Sequence, residues 1–282
     1  MPGFANVRAY NDALINGRTV FASFRKVPSQ ASSAGQWVDL SMAAGSPVPN
    51  YFASAPLVAA TLDPYRGMFH GADQSPRGKF LAELSVITPT ASLVGRFKLL
   101  DYLLYYPFVD LDDLDAQIFD NTVALPRFAD GDGVMAMAVA VAPTIGGGFF
   151  TFEYVNQKGE TRTSPTQICG TSVANIASLV TPLPATVSGV GPFLTLSQGD
   201  TGIRRINSVQ MLAQNGGLMA IVLVRPIVDI AIREINTQAE ISAVHLLPGA
   251  PPIEHGYLNM ICNPAGSVAA GVLTGHMRVA WN

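Results

Sequence analysis

Short apolar-rich runs, each closed by turn residues, recur from one end of the chain to the other. This rhythm predicts many β-strands joined by loops. The runs cover Thr19 to Val27, Gln36 to Leu40, Phe80 to Thr88, Val134 to Ala142, Phe149 to Val155 and Thr161 to Ile168. They continue over Ile203 to Leu212, Leu218 to Val224, Glu240 to Leu246, Tyr257 to Cys262 and Val268 to Val279. The 26 Gly and 20 Pro are spread throughout instead of marking one linker. Together these features predict an all-β protein, a jelly-roll-like β-sandwich built as one large or two smaller modules.

Three stretches carry more local detail. Phe149 to Val155, the turn Asn156-Gln157-Lys158-Gly159 and Glu160 to Thr163 read as a hairpin whose glycine tolerates a positive φ. Val134 to Ala142 is continuously apolar, too short to cross a bilayer and stopped by Pro143, the signature of a strand covered on both faces. Leu93, Phe97, Leu100 and Leu104 stand at helical spacing ahead of Pro107, which predicts a short apolar helix over 93–106. The expected organisation is an N-terminal arm over 1–34, partly extended around the polar Ser29 to Ser33 tract, a β-rich module over 35–130 and a β-sandwich module over 131–282. The seam at Ala129-Asp130-Gly131-Asp132-Gly133 equally suits a loop within one domain. No internal repeat or heptad run is present.

Composition sharpens this picture. The 282 residues are 49% hydrophobic but only 13% charged, against about 25% charged in an ordinary soluble domain. No run approaches the ~20 apolar residues of a membrane helix. A chain so poor in charge is expected to be covered by neighbours, as a subunit of an assembly. Seventeen basic and twenty acidic residues leave a net charge of −3 without a basic cluster, which argues against direct nucleic-acid binding. The first residues lack the basic and apolar regions of a secretion signal, so synthesis and folding in a cytoplasm are expected. Cys169 and Cys262 have no partner at ligand spacing and read as inert buried thiols.

Motifs for catalysis are missing. His70, His245, His255 and His276 lie in no nucleophile motif, and the chain has no GxSxG, HExxH or phosphate-binding loop. We expect no enzyme and no cofactor. Asp110, Asp112, Asp113 and Asp115 are weak candidates for a calcium site, but they lack the glycine and closing glutamate of an EF-hand and read better as a solvated acidic turn. Tyr102, Tyr105, Tyr106 and Phe108 are read as packing in a core or an interface in preference to stacking on sugars. Trp281, following Met277 to Ala280, is expected in a sheet or on a partner.

Leu99 to Phe108, Leu125 to Phe128 with Asp130 to Val134, the Tyr154 to Pro165 hairpin, and Phe193-Leu194 through Gly199-Asp200-Thr201-Gly202 to Leu223-Val224-Arg225-Pro226 resemble virion structural proteins of tailed bacteriophages. The likeness spans roughly 93–226 and is nearest to head decoration, or cement, proteins. It implies a β-sandwich located in the virion, with the major capsid protein as partner and self-association as a homo-oligomer, a trimer suiting the sites such proteins usually occupy. It transfers no catalytic residue. Arg96, Lys98, Asp101 and Arg127 are expected at the rim of such an interface, with the tyrosines, Phe108 and Trp281 as its apolar contacts. A tail, vertex or receptor-binding component of the particle is the alternative.

Overall fold

The computed structural model describes residues 4, 6–74, 78–170, 174–180, 191–242, 253 and 255–282. One α-helix, α1 (Val7–Ile15), precedes the strands β1 (Thr19–Val27), β2 (Val38–Asp39), β3 (Ala44–Ser46), β4 (Ala60–Thr61) and β5 (Lys79–Ile87). There follow β6 (Gly95–Asp110), β7 (Gln117–Ile118), β8 (Met135–Ala140), β9 (Phe149–Asn156), β10 (Thr161–Thr163) and β11 (Gln167–Ile168). The last strands are β12 (Ile203–Ala213), β13 (Leu218–Ile232), β14 (Ala239–Ser242), β15 (Tyr257–Pro264) and β16 (Leu273–Trp281). The predicted all-β class is what the chain adopts.

The strands form three antiparallel sheets, ordered β14-β5-β16-β1-β3, β2-β15-β6-β13-β8 and β10-β9-β12-β7, with β4 added on β6 and β11 on β9. Two apolar cores separate them. One gathers Phe24, Leu84, Val86 and Val279 of the first sheet with Phe97, Leu99, Val222 and Met260 of the second. The other gathers Leu104, Tyr106, Ala138 and Ile221 of the second with Phe150, Phe152, Ile206 and Val209 of the third. The second sheet is therefore a middle layer with an apolar core on each face, and its strands need apolar side chains at consecutive positions. This is why Val134 to Ala142 is continuously apolar, as the sequence predicts for β8.

The same cause overturns the helix expected over 93–106. That segment is the long strand β6, buried without interruption from Leu99 to Pro107 and flanked by β15 and β13. Its apolar residues match helical spacing because nearly every position is apolar. Only the short turn Ala91–Leu93 coils, as a single 3₁₀ turn. Pro107 lies within β6 at an irregularity where two β6 residues, Pro107 and Phe108, lie between the pairs Met219↔Val109 and Ile221↔Tyr106. Phe108 adopts φ 57°, and such bulges are where strands admit proline.

The hairpin is confirmed, β9 pairing with β10 around Asn156 to Gly159. The strand expected over 161–168 divides into β10 and β11, because Ser164 turns inward to accept from the Phe152 N–H. Of the strand expected over 240–246, residues 243–246, with His245, lie outside the described residues. The segment expected as an arm contains α1 and β1, and β1 is hydrogen-bonded between β16 and β3. α1 packs Tyr10 and Ala13 on Phe80, Ala82 and Ala280 at the outer face of the first sheet. All three sheets draw strands from both sides of residue 130. Both cysteines are free and buried, and burial pushes the Cys169 thiol up to about 12.

Candidate ligand-binding site

The densest group of ionisable side chains among those described forms at one end of the first core. Lys79, the first residue of β5, is fully buried, and its ammonium meets the Nδ1 of His70 at 2.8 Å and Asp73 Oδ1 at 2.9 Å. It also donates to the carbonyls of Gly71 (3.0 Å) and Ala72 (3.3 Å), fixing the 70–73 loop on the strand. Across the cluster, His70 Nε2 lies 2.8 Å from the Gly256 carbonyl. A carbonyl only accepts, so Nε2 carries the proton and Nδ1 receives from the ammonium. His70 is thus a neutral imidazole. Burial, followed by the neighbouring Lys79 charge, lowers its pKa.

Asp73 reaches the opposite way to His255, accepting from its backbone N–H at 2.9 Å and contacting its Nδ1 at 2.6 Å. Burial works to raise the Asp73 carboxyl, but the His255 N–H and the Lys79 ammonium outweigh it and hold it below the ordinary value. Above this group opens a cavity of about 330 Å3, walled by Pro64, Tyr65, Met68, Phe69, His70 and Asp73 together with His255. Its rim is rigid. Asp63 accepts from the Tyr65 N–H at 3.0 Å to cap a 3₁₀ turn, and Met68 N donates to the Leu258 carbonyl at 2.8 Å. Gly67 allows this close approach, since a β-carbon there would come within 2.8 Å of Leu258 N.

Chemically, the cavity joins two exposed aromatic rings to a polar base whose charges are already matched. Among the described residues, those lining it include no Ser, Thr or Cys nucleophile beside the Asp73–His255 pair. Lys79 occupies the place between His70 and Asp73 that a cation would take. No family model matches the chain, and neither a curated protein nor a solved structure is similar to it.

The residues singled out in the sequence lie elsewhere. Asp110 accepts from the Asp112 N–H, and Asp113 from the Asp115 N–H, each at 2.9 Å; Asp112 accepts from Gly216 N at 3.0 Å. These carboxylates shape turns. Among the described residues no three His, Cys, Asp or Glu side chains converge as a metal site. Tyr102 and Tyr106 are buried within the chain, which corrects their expected place at an interface. Tyr102 donates to Asp39 Oδ1 (2.7 Å); Tyr106 donates to Asn121 (2.9 Å) and accepts from Ile206 N (2.9 Å). Tyr105 is also buried, packed near Phe52. Middle-sheet strands point their aromatics into one core or the other, leaving none of these three for a partner.

Arg127 likewise turns inward, clamping Asp101 through Nε (2.9 Å) and an Nη2 contact. Burial, opposed by Arg127, raises the Asp101 carboxyl to about 6. Lys98 pairs with Asp229 at 2.6 Å over the Trp37 ring, and Arg96 is exposed at the start of β6. Phe108 is half-buried, and Trp281 ends β16 half-buried, its N–H donating to the Arg18 carbonyl at 3.2 Å.

Sequence reasoning missed the Lys79 group because its members are scattered over 185 positions and no motif links them. A second buried cation was missed too. Lys26 is fully buried in β1 and donates to the carbonyls of Ala43 (3.2 Å) and Pro47 (2.8 Å). Burial, partly offset by Asp39, lowers its pKa to about 8. Its one trace in the sequence is that Lys26 shares the alternating phase of Val20, Ala22 and Phe24 in β1.

Proposed function

We propose that this chain is a non-enzymatic structural subunit of a tailed-bacteriophage virion, decorating the capsid and bridging shell subunits as a homo-oligomer. The observation that carries the reading is that the segment bearing the phage likeness, 93–226, supplies every strand of the third sheet and, with β6, β8 and most of β13, the side of the middle sheet that packs on it. The accessible surface of 11772 Å2 supports it as well, being close to the roughly 11,600 Å2 that a compact monomer of this mass exposes. Exposed Phe21, Tyr51, Ile118, Ile145 and Leu212 supply apolar contacts for neighbours. Each docking event gains ~25 cal/mol per Å2 of apolar area buried, less its ordering costs, and an oligomer adds avidity.

A tail, vertex or receptor-binding role is the second reading, favoured by the aromatic rim of the cavity. Counting copies in purified virions by quantitative mass spectrometry separates the two. Decoration requires copies in the hundreds, and a handful at one vertex overturns it in favour of the second reading.

A further inference from the structure

We propose that the cavity bounded by Tyr65, Phe69, Asp73 and His255 binds a neutral saccharide. Tyr65 is 92% and Phe69 65% exposed, yet both belong to a segment held at each end, by the Asp63 cap and by the His70 contact with Gly256. Two large rings this exposed, on a segment fixed at both ends, form a platform rather than a frayed loop. Between them, buried Met68 and His70 close the floor.

The polar groups select the ligand. Asp73 is already matched by the Lys79 ammonium, so among the described residues this pair leaves no net charge for an anion or a metal ion. A wholly apolar ligand would strip water from the carboxylate and the imidazole without replacing its hydrogen bonds. A carbohydrate suits both parts of the cavity. Its C–H face covers the aromatic rings, and its hydroxyls donate to the Asp73 carboxylate and to His255 Nε2, the acceptor nitrogen of an imidazole whose Nδ1–H serves Asp73. The carboxylate accepts three contacts here, and its two oxygens have lone pairs for about four. A volume of about 330 Å3 stands at the lower end of the ~300–1,000 Å3 range of ligand cavities and fits a short saccharide.

The inference stands apart from the copy number in any particle. It is tested on the full chain by saturation-transfer NMR and calorimetry with methyl glycosides of glucose, galactose and mannose and with N-acetylglucosamine. The expected result is saturable binding of at least one of the four. Tyr65→Ala and Phe69→Ala should each weaken it by about tenfold, roughly the loss of one stacking contact, and Tyr65→Phe should retain it. Both positions are exposed, so the variants keep the thermal melt of the parent. Absence of saturable binding to all four sugars overturns the proposal, as does unchanged affinity in the double Tyr65→Ala/Phe69→Ala variant. Tighter binding of a sulfated or sialylated sugar than of its neutral counterpart overturns it equally.

Discussion

Strands β6 and β9 have similar aromatic and aliphatic content but opposite legibility. In β9, Phe150, Phe152 and Tyr154 are buried while Thr151 and Glu153 between them reach the surface, so the two-residue period is written in the residues themselves. In β6 nothing from Leu99 to Pro107 reaches solvent, because cores press on both faces, and the period vanishes. An alternating pattern reports a strand with one wet face. A strand covered twice leaves only composition and length, which a helix can share.

The contrast is sharpest in its energetic consequences. Tyr106→Ala in β6 should destabilise the chain by about 3–5 kcal/mol in urea titration, combining a large cavity with the loss of the hydroxyl that serves Asn121 and Ile206. On the wet face of β9, Thr151→Ala should stay within about 0.5 kcal/mol. Comparable costs at the two positions would break the comparison. A second effect distinguishes buried from surface cations. Folded Lys26 loses its proton near pH 8, whereas the unfolded lysine keeps its proton to about 10.4. Between these values the unfolded chain holds more protons, so the parent gains stability relative to Lys26→Met as pH rises, on the order of 3 kcal/mol across the window. Denaturation of both chains from pH 7 to 10 checks this; a flat or falling difference refutes it. Smaller than either buried-residue effect, Lys98→Ala removes a pair whose Asp229 side chain is 68% exposed, and should cost no more than about 1 kcal/mol in the same titration.

Legibility followed coverage across the rest of the molecule. β1, β9 and β12 lie in the outer sheets and were foreseen nearly to the residue, as was β8, whose apolar run is broken at Pro143 before it reaches helical length. β13 was expected to end at Val224 but runs on to Ile232, since a bulge around Pro226 lets it continue past a residue that normally stops a strand. The short strands β3, β4 and β7 carry too few residues for any period. The low charge content also takes on another cause. Part of the shortage that suggests covering neighbours is supplied from within, by a middle sheet whose central stretches, Leu99 to Pro107 and Met219 to Val224, are covered on both faces. The candidate site was the least legible feature, because Lys79, His70, Asp73 and His255 become a unit only when β5 and the segment before β15 are brought together.

The order of strands in the middle sheet constrains how the chain comes to be folded. Tyr102 of β6 pairs with Tyr257 of β15, and Val38 of β2 with Cys262, so distant stretches must meet before this layer is complete. Loop closure over such separations is slow, and the sticky β6 and β8 ribbons wait for partners still to emerge from the ribosome. During that interval they are the natural targets for chaperones and for self-association, and the yield of native protein depends on how quickly the C-terminal third arrives.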